Sequence, residues 1–112
     1  MNLNFVPDYL SDVIGLTDGD IRAALMLMIG REKQAKADMT DNPDKWGNYW
    51  SMTVDDWQKF GLGDKRTQLK VRSKLRNLGD KLWKERIWDW PAHNQYCLDI
   101  EQFDQMLKEV RQ

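Results

Sequence analysis

YWSMTVDDWQKFGLGDKRTQLKVRSKLRNLG, residues 49–79, sets two helix starts and two glycine stops behind an aromatic pair. Thr53 stands three residues before Asp56, the spacing of a capping box, so a short helix is expected over 54–60. Val54, Trp57 and Phe60 recur on one side of it, and Gly61 supplies the stop. GLGD then breaks the chain. A second helix is expected over 64–78, with Val71, Leu75 and Leu78 at i, i+4 and i+7 as its apolar line and Gly79 as its exit. YWSM, residues 49–52, reads as a small strand.

Working outward, TDGD at 17–20 repeats the capping spacing, with Thr17 as cap and Asp20 at the third helical position. A helix over 18–36 follows, its broad stripe formed by Ile21, Ala24, Leu25 and Met28 and widened by Leu27 and Ile29. REKQAKAD reads as its solvated end. DMTDNPDKWGN, residues 38–48, has the Pro, Gly, Asn and Asp content of a surface loop. KLWKERIWDW and QYCLD flank PAHN, which predicts a β-hairpin, with residues 80–86 assignable either to it or to the basic helix. DIEQFDQMLKEV predicts a closing helix over 100–110, with Asp99 as a cap and Phe103, Met106, Leu107 and Val110 as its stripe. That stripe fits core packing against the first helix, and it also fits dimerisation.

A chain of 112 residues with 41% hydrophobic and 31% charged residues is one globular domain, residues 1–112. The longest apolar run, AALMLMI at 23–29, is too short to span a bilayer, and MNLNFVPDYL lacks the pattern of a secretory leader. With a single cysteine, Cys97, the expectation is a cytoplasmic protein that contacts no membrane.

Charge is distributed unevenly. Residues 59–86 hold ten Lys and Arg against Asp64, Asp80 and Glu85, a net +7 in a chain whose total is −1. The remainder is therefore −8. Opposite the apolar line of the basic helix lie Arg66, Leu69, Lys70, Ser73, Arg76 and Asn77, flanked by Lys65, Gln68, Arg72 and Lys74. No Glu interleaves them between residues 65 and 79, as a helix tuned only for solubility would have.

The order helix, small strand, short helix, basic helix, hairpin, helix is that of a winged helix-turn-helix, an α+β fold. Trp50, Thr53, Asp56, Trp57, Gly61, Leu75 and Gly79 together resemble the winged-helix domains of phage and plasmid replication proteins and related mobile-element proteins. The resemblance covers about half of the chain. It implies replication initiation or transcription regulation on a mobile element.

Double-stranded DNA is the partner this pattern favours, read through residues 65–76. Arg66 and Gln68 are the base-contact candidates, since Arg pairs with guanine and Gln with adenine, with Lys65 close by. Lys70, Lys74 and Arg76 are candidates for phosphate, and Ser73 lies on the same face. Leu69 fits either a thymine methyl or a protein partner. The wing is poor in cations near its tip, where only His93, Asn94 and Gln95 can donate to phosphate. This favours a rival reading, a phage-type interaction module that docks on host machinery. A third reading, stacking on single strands, rests on the six tryptophans, of which Trp46 is the one expected to be exposed. Trp57 is expected in the core, and Trp50, Trp83, Trp88 and Trp90 on or near the sheet.

His93 and Cys97 alone make no metal site. No nucleophile–base pairing or phosphate loop marks an enzyme, and no cofactor is implied. The chain is expected to act as a monomer or homodimer.

Overall fold

Residues 6–16 form a helix that the sequence pattern did not predict. The structure, a computed structural model, describes residues 6–39, 48–89 and 92–111. Helix α1 (Val6–Leu16) has Pro7 in its first turn, where the missing N–H costs no intrahelical bond. Thr17 closes this helix and does not open the next. Its hydroxyl lies 2.9–3.2 Å from the carbonyl oxygens of Val13, Ile14 and Asp20. Asp18 (φ 55°) and Gly19 (φ 84°) then reverse the chain in the left-handed region.

Helix α2 (Ile21–Asp38) therefore starts three residues later than expected, with Asp20 as its cap accepting from the Ala23 N–H at 3.0 Å. Its inner line is also shifted. Ala23, Leu27, Gly30 and Gln34 are buried at i, i+4, i+7 and i+11, whereas Ile21 is 67% exposed. Gly30 is small for a reason, because a Cβ there would lie 2.8 Å from the Trp83 ring.

Gln34, placed by sequence in the solvated end, is 2% exposed. Its oxygen accepts from the Trp50 indole (2.8 Å) and the Leu98 N–H (2.7 Å). Its nitrogen donates to the Asn48 carbonyl (2.8 Å) and to Asp38 (2.9 Å). All four bonding positions of the buried amide are filled.

Next come strand β1 (Trp50–Ser51), helices α3 (Val54–Lys59) and α4 (Lys65–Arg76), strands β2 (Trp83–Asp89) and β3 (Ala92–Leu98), and helix α5 (Ile100–Arg111). The described residues thus form an α+β domain of five helices and an antiparallel sheet of order β1-β3-β2. Residues 83–86 belong to the hairpin. Its pairing runs from Trp83↔Leu98 to Asp89↔Ala92, so His93 and Asn94 are strand residues and not part of a turn. Most of the expected 38–48 loop, Trp46 included, and Trp90 lie outside the described residues.

Trp50, Trp57, Trp83 and Tyr96 form one aromatic cluster, with ring centroids 5.3–6.4 Å apart and several edge-on pairs. These three tryptophans are core residues. Helix α2 contacts α1, α4, α5, β1 and β3. Phe103 buries the inner face of α5, and a bidentate Arg31–Asp104 pair (2.8–2.9 Å) ties α5 to α2. No helix among the described residues is long and apolar enough to cross a membrane.

Candidate nucleic-acid interface

The placement of α4 starts with the turn before it. Thr53 and Asp56 form the expected capping box of α3, each bonding the other's backbone N–H at 3.0 Å. These bonds hold the Asp56 carboxyl below the usual aspartate range. Phe60 does not join the core line. It is the C-terminal cap of α3 and points to solvent.

The chain turns through Gly61 (φ 94°) and Gly63 (φ 83°), conformations that strain any side-chain-bearing residue. Between them Leu62 is fully buried. Asp64 caps α4 by accepting from the Thr67 N–H at 2.9 Å, which lowers its own pKa, with the nearby charge of Arg22 a lesser contribution.

Gln68 faces inward, contrary to its expected role at the bases. It is 2% exposed, and its amide nitrogen donates to the carbonyls of Val54 (3.0 Å) and Gly63 (2.8 Å). The side chain fastens the start of α4 to the start of α3 and to the turn between them. A buried amide with backbone partners cannot reach a base without leaving two carbonyls unpaired.

Farther along, three cations of α4 are held within the protein. Arg72 makes a two-pronged contact with Glu85 on β2 (Nε–Oε2 2.9 Å, Nη2–Oε1 3.1 Å). Arg76 adds a bond to the same carboxylate at 2.6 Å, and the Trp83 indole donates to it at 2.8 Å. Burial pushes the Glu85 carboxyl up, but its bonds to Arg72, Trp83 and Arg76 outweigh burial and hold it below its ordinary value. Arg72 also lies 5.5 Å from the centroid of the Tyr96 ring. Lys74 turns to the other flank, donating to the Thr17 carbonyl at 2.7 Å and pairing with Asp20 at 3.4 Å.

Lys65, Arg66 and Lys70 remain, all exposed and with side chains free of ion pairs among the described residues. Leu69 and Ser73 lie exposed on the same side. The exposed cationic face thus runs over residues 65–73 of α4, a smaller surface than the charge count implied.

On the hairpin, Arg86 donates to Gln95 at 2.7 Å and covers the Tyr49 ring at 3.9 Å from its centroid. Cys97 is buried, which pushes its thiol pKa up, and it borders an open cleft of about 540 Å³ with Gln34, Asp38, Lys84 and Asp99. Among the described residues no group of three or more His, Cys, Asp and Glu side chains is placed to hold a metal ion.

No family model, curated protein or solved structure matches the chain.

Proposed function

We propose that the chain is a winged helix-turn-helix domain that binds double-stranded DNA, with α4 as the helix presented to the major groove and the β2–β3 hairpin as the wing. The element order and the β1-β3-β2 sheet support this reading. The observation that carries it is the set of three cations without ion pairs among the described residues, Lys65, Arg66 and Lys70, around Ser73 on one exposed helix face. That helix is pinned at its start by Gln68 and farther along by Glu85, so the cations sit on a fixed platform. Helices docked this way contact bases from their N-terminal end, which here carries Arg66.

In this reading Arg66 contacts base edges, Lys65 and Lys70 meet phosphate, and the chain has no catalytic role, cofactor or membrane contact. Action in replication initiation or transcription control on a mobile element is proposed on the resemblance of residues 49–79 alone, and a cytoplasmic setting on the single cysteine, Cys97.

The test is fluorescence anisotropy with a labelled random-sequence duplex across a salt series. Wild type is expected to bind with a steep loss of affinity as salt rises, and Lys65→Ala/Arg66→Ala/Lys70→Ala to lose both affinity and slope. Protein docking, the rival reading, is favoured by Ile87, which stands 68% exposed on β2 of a hairpin whose Arg86 is engaged internally. Absence of binding to any duplex at low salt would favour it.

A further inference from the structure

Leu69 is the one apolar side chain on the exposed face of α4, and it is 44% exposed. Its helical neighbours on that face are Lys65 and Arg66 one turn before, Arg72 and Ser73 one turn after, and Lys70 beside it. No second apolar residue of α4 adjoins it there, so within this helix it forms no extended apolar stripe. An apolar point ringed by cations is the complement of a methyl group lying between two rows of phosphates. The major groove offers that arrangement at the C5-methyl of thymine.

The position of Leu69 is also fixed. Gln68, the preceding residue, is locked by its two bonds to Val54 and Gly63, which sets the rotation of α4 at this turn. The outward direction of Leu69 follows from that rotation.

We infer that Leu69 is a specificity-determining residue that reads a thymine methyl near the centre of the duplex site. The inference rests on the DNA reading above and deepens it. Arg66, one turn earlier, then addresses a neighbouring base pair, and Lys65 and Lys70 hold the flanking phosphates.

The test begins with selection of duplexes from a random library by the full chain. Each thymine of a selected duplex is then replaced singly by deoxyuridine, which differs only in lacking the methyl, and binding is measured by anisotropy. For wild type, one replacement is expected to weaken binding about fourfold, the worth of one buried methyl. Leu69→Ala should bind both duplexes alike with an unchanged salt slope, and Leu69→Met should keep the preference. The inference is overturned if no thymine responds to the replacement, or if Leu69→Ala still prefers the methylated duplex. A different result would sink the DNA reading itself: wild type and Lys65→Ala/Arg66→Ala/Lys70→Ala binding the random duplex equally weakly at every salt concentration.

Discussion

The two halves of α4 carry three cations each, Lys65, Arg66 and Lys70 in the first and Arg72, Lys74 and Arg76 in the second, and they use them in opposite ways. The second half spends its charge inside the protein. Arg72 and Arg76 share Glu85, and Lys74 holds the turn between α1 and α2. The first half has no such partners among the described residues and presents its charge to solvent. A net charge of one segment therefore overstates what that segment can offer a polyanion. What counts is the number of cations left after the fold has taken its share.

The largest effect expected from this contrast lies in the second half. Glu85→Ala leaves Arg72, whose side chain is 13% exposed, without its counter-charge and should cost about 3–5 kcal/mol in urea or thermal unfolding. Acid should expose the same bond network. The folded-state pKa of Glu85 lies below its ordinary value of 4.5, so its contribution is complete above that pH and is lost as pH falls through the lower folded value. Unfolding midpoints of wild type and Glu85→Gln should therefore keep a constant gap down to about pH 4.5 and converge only as the pH is lowered further. A constant gap between them down to acid unfolding would show that the carboxylate charge contributes little.

Next in size is the effect on DNA. Removing Lys65, Arg66 and Lys70 together should reduce the salt slope by roughly two, about one for each of the phosphate-contacting Lys65 and Lys70, with little change in stability. Removing Lys74 and Arg76 together should reduce it by less than about one while lowering the melting temperature. Equal slopes for the two variants would erase the distinction between the halves.

The smallest effect belongs to the pin between them. Gln68→Ala leaves the Val54 and Gly63 carbonyls without their donor and should cost roughly 1–3 kcal/mol in unfolding. If Gln68→Ala were instead neutral in unfolding and altered base preference, the sequence-based assignment of Gln68 to the bases would be restored.

How far these roles were legible follows the distance over which each is decided. The capping box of Thr53 and Asp56, the stop at Gly61 and the start of α4 at Asp64 depend on residues three or four apart, and all were readable. The spacing 17–20 was equally local but ambiguous, because a threonine can close one helix as well as open the next. With α1 unread, its C-terminal role for Thr17 was hidden. Gln68 and Gln34 were misjudged because polar side chains default to the surface, and the decisive partners lie outside their own helices: for Gln68 the carbonyls of Gly63 and Val54, 5 and 14 residues back. For Gln34 these include the indole of Trp50 and the N–H of Leu98, 16 and 64 residues away. The pairing of Arg72 and Arg76 with Glu85 was hidden similarly, since it depends on β2 folding back against α4. For the interface, the helix and its outward face were visible in sequence, but the number of free cations on it was not.

Gln34 has one more consequence. Its amide touches Asn48 two residues before β1, the first residue of β1 and the last residue of β3, so it acts as a template for strand alignment. Sliding β3 by a single residue would carry the Leu98 N–H away from the amide oxygen and turn its alternate side chains over. β1, only two residues long, has little pairing of its own with which to hold β3 against such a slide. The alignment of the sheet is thus encoded on a helix, in a residue that belongs to no strand.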